Sequence, residues 1–142
     1  MEGNMERKTF RIQFEWDIVN MRSDVREIAK KIGFDEVDQA RIVQSVSELA
    51  GNILQHAQKG SITIDLIQKE NRKGIRLIGQ DSGPGIENVD ELMKQVHAAA
   101  KADQENKGLQ RVATLMDTID IKSENGTWIE VIKWLKKSEI VN

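Results

Sequence analysis

One stretch of the chain combines an apolar helical stripe with two polar side chains in a fixed relation. Apolar residues recur over residues 37–54 at the spacing of one helix face, which predicts a buried amphipathic helix: Val37, Ala40, Ile42, Val43, Val46, Leu49, Ala50, Ile53 and Leu54. Glu48 and Asn52 are four residues apart, so a helix places them one turn apart on one face. There the Asn oxygen could bind a hard cation such as Mg²⁺, and the Glu could polarise a neighbouring hydroxyl or water. The alternative is an ordinary solvated helix face.

The composition excludes several classes of protein. A length of 142 residues suits one domain, with residues 1–142 as a single unit and a core over about residues 9–135. The 21 basic and 23 acidic residues give a formal charge of -2, which argues against a nucleic-acid partner. The sequence has no cysteine, so disulfides and Cys-ligated zinc are excluded.

The hydropathy pattern predicts a cytoplasmic location without membrane contact. No apolar run approaches the ~20 residues that are needed to span a bilayer. Residues 1–8 are polar and have no apolar segment of the kind found in signal peptides.

The first third of the chain predicts a strand followed by two helices. Residues 9–16 alternate between apolar and polar, which indicates a half-buried strand. Asp17 is a candidate N-cap for a helix that ends at Gly33, and Asp35 opens the helix that carries Glu48. The inward-facing positions of the strand are predicted to be Phe10, Ile12, Phe14 and Trp16.

The rest of the chain predicts two hairpins separated by two short helices. The hairpin strands are residues 61–67 with 74–80, and residues 117–123 with 127–135, the second pair joined at an Asn-Gly turn. The helices lie near residues 92–99 and 109–116, with a polar, mobile connection over residues 98–107. The order β-α-α-β-β-α-α-β-β predicts an α+β fold, a two-layer α/β sandwich with a mixed, largely antiparallel sheet and helices on one face. A solvated edge is expected for Lys133, Lys136 and Lys137.

A glycine-containing turn follows the strand at residues 74–80. Residues 81–85 are Asp-Ser-Gly-Pro-Gly. Asp81 could accept a hydrogen bond from an amino group, and Gly83 and Gly85 would let a flat ligand approach the backbone. The alternative is a simple Gly-Pro turn in which Asp81 bonds to its own loop.

Taken together, these stretches resemble the Bergerat-fold (GHKL) ATPase family, which includes gyrase, Hsp90, histidine kinases and MutL. The family's Glu-x-x-x-Asn motif matches Glu48 and Asn52, and its Asp-x-Gly-x-Gly motif matches residues 81–85. Its later Gly-Thr pair matches Gly126 and Thr127. Further stretches are similar to RsbT-type serine/threonine kinases of bacterial stressosomes, relatives of the RsbW and SpoIIAB anti-sigma kinases. The resemblance implies the Bergerat (histidine-kinase-like ATPase) fold.

The resemblance also implies a site that uses ATP and Mg²⁺. Glu48 would orient or deprotonate the attacking hydroxyl, and Asn52 would be the Mg²⁺ ligand next to the phosphates. Asp81 would bond to the adenine amino group, and Thr127 would support that end of the nucleotide. Gly83 and Gly85 would shape the base pocket, while the phosphates would be approached by Lys107 and Gly108.

The function that the resemblance implies is an ATP-dependent protein serine/threonine kinase of a bacterial stress-response partner-switching system. Its substrate would be a STAS-domain antagonist, and the outcome would be regulation of sigma-factor activity. A PP2C-type phosphatase is a second implied partner. A homodimer or a large signalling complex is compatible with the resemblance.

The chain departs from the family in the segment that should cover the phosphates. Kinases of this type have several glycines there, whereas residues 102–108 retain Gly108 alone. Asp103 and Glu105 add negative charge where phosphates would lie, which is unfavourable. Side chains at most positions hinder the close backbone approach that glycine permits. The alternative hypothesis is therefore a catalytically weak or inactive pseudokinase that acts as a partner-binding regulatory module.

Overall fold

The computed structural model describes residues 7–101 and 108–136, with the backbone alone over residues 99–101. The described part contains five strands and four helices in the predicted order. Their bounds are β1 Lys8–Ile12, α1 Glu15–Ile32, α2 Glu36–Ala57, β2 Gly60–Lys69, β3 Arg72–Asp81, α3 Val89–Lys101, α4 Leu109–Leu115, β4 Thr118–Ser123 and β5 Thr127–Trp134. None of the described helices is both long and apolar enough to cross a membrane.

The strands form one sheet in the order β1-β2-β3-β5-β4, and all four pairings are antiparallel. Alternate residues of each strand point towards the helices and form the sheet side of the core, as Ile64, Leu77 and Val131 show by being fully buried. Gly79 of β3 lies directly under α2, since a Cβ there would be 3.7 Å from the Cβ of Leu49. The predicted two-layer α+β sandwich with helices on one face is confirmed, and the sheet of the described strands is antiparallel throughout instead of mixed.

The other face of the sheet carries a charged cluster among partly exposed apolar side chains such as Ile78, Ile132 and Trp134. Arg76 donates two hydrogen bonds to the carboxylate of Asp65 across the β2–β3 pair, at 3.0 and 2.7 Å. These bonds are the main reason that the pKa of Arg76 is raised, with a smaller contribution from Glu130 on β5. Antiparallel sheets commonly pack one face on the core and leave the other face to solvent, which matches helices on one side only.

The prediction for the start of α1 is wrong in two respects. Strand β1 ends at Ile12, where its partner strand β2 begins at Gly60, so residues 13–16 have no strand to pair with. Phe14 and Trp16 are 44% and 59% exposed instead of inward-facing, and their rings stack at 4.4 Å. Asp17 is not the N-cap but lies inside the first turn, where its carboxylate accepts the N–H groups of Gln13 and Phe14.

Helix α2 buries one side along most of its length. Its buried residues are Asp38, Gln39, Ile42, Val43, Ser45, Val46, Leu49, Ala50 and Ile53. The predicted stripe is correct from Ile42 onward, but Val37 is 58% exposed and Ala40 is exposed as well. Polar residues with specific partners take the buried positions in the first turns of the helix.

A buried ion-pair network joins that end of α2 to the end of β5. Asp38 is 1% exposed, accepts a 2.8 Å hydrogen bond from Arg41 and lies 3.8 Å from the ammonium of Lys133. Lys133 also donates a 2.9 Å hydrogen bond to the carbonyl of Leu115 at the end of α4. The expectation of a solvated edge is therefore wrong for Lys133, because its ammonium finds two acceptors inside the fold.

We expect Asp38→Ala to destabilise the protein by about 3 kcal/mol, because it leaves the buried ammonium of Lys133 without its carboxylate. Urea denaturation measures the change in the free energy of unfolding. Asp120→Ala, at an exposed position on β4, is the matched control and should cost within about 0.5 kcal/mol. Equal losses in both variants would contradict a structural role for this network.

Asp17 gives the start of α1 a defined pH dependence. The N–H groups of Gln13 and Phe14, hydrogen-bonded to its carboxylate, lower the pKa of Asp17. Stability from a lowered pKa is present above the ordinary aspartate pKa and is lost as the pH falls through the lowered value. We therefore expect Asp17→Asn to lower Tm at neutral pH and the difference to shrink below about pH 4. Differential scanning calorimetry of both proteins from neutral pH to below about pH 4 measures this difference in Tm. Asp24→Asn, at an exposed position on the same helix, is the control.

Candidate functional site

The antiparallel register of β3 and β5 brings together two residues that are far apart in the sequence. Asp81 is the last residue of β3, Thr127 is the first residue of β5, and the two are paired directly across the strands. Both point to the face of the sheet that carries the helices, since they alternate with Gln80 and Trp128 of the opposite face. A carboxylate and a hydroxyl therefore lie side by side at one end of the sheet.

The turn before Thr127 requires glycine for steric reasons. Gly126 has a φ of 124°, a conformation that other residues rarely adopt, and a Cβ there would overlap the carbonyl oxygen of Asp81. The close approach of the two backbones is what aligns the ends of β3 and β5.

The loop after β3, residues 81–85, has features both of a ligand-binding loop and of a simple turn in which Asp81 bonds to its own loop. The Oδ1 atom of Asp81 accepts a 2.9 Å hydrogen bond from the N–H of Gly83, as expected for a simple loop. Gly83 packs against Ala57 at the end of α2. Gly85 has a φ of 82°, and the N–H of the next residue, Ile86, donates a 2.6 Å hydrogen bond to the Ser123 hydroxyl. The loop is thus held between α2 and the second hairpin.

A cavity of about 430 Å³ opens between α2, the loop and α4. It contains four of the residues predicted from sequence motifs, namely Asn52, Asp81, Gly85 and Thr127. Its volume lies within the usual range for small-molecule sites, and it combines apolar walls with a few polar groups. The other lining residues are His56, Ile86, Leu92, Leu109 and Gln110.

Glu48 lies one helical turn from Asn52, beside the cavity and not among its lining residues. Its side chain is 21% exposed, and its Oε2 atom accepts hydrogen bonds from Arg111 of α4 and, at 3.2 Å, from Gln44. The candidate base is therefore engaged by a cation from another helix. Sequence reasoning did not single out Arg111, because no local pattern connects residue 111 with residue 48.

The remaining predicted residues fall outside the cavity. Gly83 supports the loop and does not line the cavity, and Gly108 has a φ of 53° and immediately precedes α4. Lys107 and most of the degenerate segment, residues 102–107, lie outside the described residues. His56, Leu109 and Gln110 line the cavity without having been predicted. Leu109 and Gln110 could have been found, because they directly follow the one retained glycine of the lid.

The cavity offers few protein oxygen atoms to a metal ion, which suits a magnesium ion bound mainly by the phosphates of a nucleotide. The described residues contain no group of three or more His, Cys, Asp or Glu side chains that could hold a metal ion. The amide of Asn52 is a neutral oxygen donor on the cavity wall. Mg²⁺ commonly takes one or two protein oxygens and completes its shell with phosphates and water, so these residues fit a magnesium nucleotide better than a free ion.

Comparison with known proteins agrees with this geometry. Residues 14–133 match the histidine kinase-like ATPase domain family, and the chain therefore belongs to that family. It is similar to the serine/threonine-protein kinase RsbT of Bacillus subtilis (strain 168), with 41% identity over 128 residues, 89% of this chain and 95% of that protein. The predicted resemblance to RsbT-type proteins is confirmed.

More distant relatives extend the comparison. The serine-protein kinase RsbW of Staphylococcus epidermidis is 28% identical over 122 residues, 77% of this chain and 72% of that protein. Among solved structures, the SiaB–SiaC complex from Pseudomonas aeruginosa contains a chain with a TM-score of 0.59 and 10% identity, covering 90% of this chain and 89% of that one. At this identity the likeness shows a shared fold alone, which agrees with the predicted Bergerat fold.

We expect Gly126→Ala to separate the ends of β3 and β5 and to destabilise the protein by about 2 kcal/mol, because the new Cβ overlaps the Asp81 carbonyl at a strained φ. Thermal unfolding monitored by circular dichroism measures the loss. Gly51→Ala is the matched control, because a Cβ there meets no described atom within 4 Å, and helix propensity should raise stability by up to about 1 kcal/mol. A Gly126→Ala protein as stable as the wild type would contradict the close backbone approach.

Proposed function

We propose that the chain is an ATP-dependent protein serine/threonine kinase of a bacterial partner-switching system, and that residues 1–142 act as one histidine-kinase-like ATPase domain. The observation that carries the proposal is the cavity in which Asn52, Asp81 and Thr127 meet, with Glu48 one turn away. The similarity to RsbT and RsbW, both named as protein kinases, supports it.

The sheet end of the cavity would bind the adenine base. Because Oδ1 of Asp81 is bonded to Gly83, the Oδ2 atom is the oxygen that would accept the adenine amino group. Thr127 lies opposite and could donate or accept a second bond, directly or through water. The apolar wall, which includes Ile86, Leu92 and Leu109, would contact the faces of the base.

The α2 side of the cavity would hold the phosphates. When bound, ATP supplies the γ-phosphoryl group, whose bond to ADP breaks as the acceptor oxygen bonds to phosphorus. Asn52 would bind Mg²⁺ through its amide oxygen, and Glu48 would orient the acceptor hydroxyl and take its proton. Phosphoryl transfer needs chiefly positioning and charge neutralisation, which suits a site with few protein groups. Gly108 and Lys107 are proposed to approach the phosphates.

The protein substrate is proposed to be a STAS-domain antagonist, with regulation of a sigma factor as the outcome. A PP2C-type phosphatase is a second proposed partner, and the site of action is proposed to be the cytoplasm. A homodimer or a large signalling complex, such as a stressosome, is the assembly proposed for this role. The proposal rests on the similarity to RsbT and RsbW and on the partly exposed side chain of Glu48, one helical turn from Asn52 of the cavity.

A second function is supported by a specific contact. The Oε2 atom of Glu48 already accepts hydrogen bonds from Arg111 and Gln44, which occupy the positions on that oxygen that an acceptor hydroxyl would need. A pseudokinase that binds partners without transferring phosphate is therefore the alternative. Nucleotide binding and phosphoryl transfer, measured separately, distinguish the two.

We expect wild-type protein to bind Mg-ATP in isothermal titration calorimetry, and Asp81→Asn to weaken that binding about 10- to 100-fold. The loss is that of a hydrogen bond to a charged acceptor, because the carboxylate becomes an amide that can also turn a donor towards the base. Asp120→Asn on the exposed edge of β4 is the matched control and should bind like the wild type. No binding at millimolar nucleotide would rule out the kinase and leave the partner-binding module.

We expect Glu48→Gln to bind Mg-ATP normally and to lower kcat for transfer to a purified STAS-domain protein about 10²- to 10⁴-fold, because it removes the general base. Transfer is measured with γ-labelled ATP under single-turnover conditions. Glu27→Gln, at an exposed position on α1, is the control. Transfer that continues unchanged in Glu48→Gln would contradict the role of Glu48.

A further inference from the structure

The contacts of Glu48 have a direction. Both of the hydrogen bonds that the described residues make to its carboxylate end on Oε2, one from Gln44 at 3.2 Å and one from Arg111. A guanidinium on a carboxylate is a charge-assisted pair, stronger than a bond between neutral groups. The carboxylate is therefore held from the side on which these two donors lie.

Neither donor lines the 430 Å³ cavity that contains Asn52. Gln44 and Arg111 both line a shallow groove of about 660 Å³ between α2 and α4, whose other members include Val37, Ala40 and Leu115. Asn52, one turn along α2 from Glu48, lines the 430 Å³ cavity instead. Glu48 thus stands between two recesses, and its two donors draw the carboxylate towards the groove.

Helix α4, which carries Arg111, is fixed at its far end. The buried ammonium of Lys133 donates to the carbonyl of Leu115, and the N–H of Asp117 donates to the carbonyl of Ile132 at 2.9 Å. The carboxylate of Asp117 in turn accepts the N–H of Trp134 at 2.7 Å. These bonds tie the end of α4 to β5, so Arg111 is presented to Glu48 by a helix with little freedom to move there.

We propose that Arg111 is a restraining latch on Glu48: the ion pair holds the candidate base on the groove side, and phosphoryl transfer requires the pair to open. The inference rests on the proposed kinase function and adds a positioning residue to it. Opening frees Oε2 of Glu48 from the guanidinium, so that this oxygen can accept the hydrogen bond of the acceptor hydroxyl. The side chain of Arg111 is 40% exposed and that of Glu48 is 21% exposed. Breaking a partly exposed ion pair of this kind costs little free energy.

The test compares Arg111→Ala with Arg111→Lys in the full chain, using Mg-ATP and a purified STAS-domain protein. We expect Arg111→Ala to raise kcat about three- to fivefold, the factor that corresponds to opening a partly exposed ion pair, with KM for ATP unchanged within about twofold. Arg111→Lys retains a cation and should stay close to the wild type. Glu48→Gln should abolish the gain, and Arg22→Ala, an exposed arginine on α1, is the matched control.

A stability readout accompanies the kinetics. Urea denaturation of Arg111→Ala, Glu48→Gln and the double variant gives the coupling between the two side chains, which should be non-zero if the pair forms in solution. A purely structural role for Arg111 would lower stability and leave kcat unchanged or reduced, and that result would overturn the latch.

The outcomes separate this inference from the proposed function. If wild type and Arg111→Ala both bind Mg-ATP and transfer phosphate at equal rates, or neither transfers, the latch is wrong while nucleotide binding stands. If neither protein binds Mg-ATP, the kinase proposal fails and the latch fails with it. A wild type that transfers poorly and an Arg111→Ala variant that transfers well support both.

Discussion

The burial of α2 against the sheet is the constraint from which the site follows. Leu49 and Ile53 point into the core, and Gly79 of β3 leaves room for the helix to pack directly on the strand. Glu48 and Asn52 each precede one of these core residues by one position, so the helix turns them about 100° away from the core. Packing of the apolar stripe therefore decides where the polar pair emerges, at the edge where α2 meets α4 and the loop after β3.

The base end of the cavity depends on a second constraint, the register between β3 and β5. A shift of one residue in either strand would turn its site residue, Asp81 or Thr127, to the face of the sheet that carries no helices. At this end of the sheet the backbone of Gly126 lies so close to that of Asp81 that a side chain at residue 126 would overlap it. Glycine at this position therefore permits the close pairing that this register requires. The cavity thus has one wall set by helix packing and one set by strand pairing, which together explain why motifs from three parts of the chain converge.

The Glu48–Arg111 pair connects the site to the rest of the fold in a way that the family resemblance does not imply. Arg111 reaches Glu48 because α4 is tied to β5 through Lys133 and Asp117, and Lys133 in turn is neutralised by Asp38 near the start of α2. The two ends of α2 therefore differ in the polar groups that they present to the rest of the fold. Near its start, buried charges fasten α4 and β5 to the helix, and near its end the uncharged Asn52 faces the cavity.

The sequence by itself determined the order and type of every described element, because hydrophobic periods of two and of 3.6 residues are local properties. The sequence motifs also identified candidate site residues, and four of them, Asn52, Asp81, Gly85 and Thr127, line one cavity. Only the tertiary structure decided that Phe14 and Trp16 face outward, that Lys133 is buried, and that Arg111 engages Glu48. The physical reason is that alternation and spacing report which face a residue shares with its neighbours in sequence. Whether that face meets the core, solvent or an opposite charge depends on partners that are dozens of residues away.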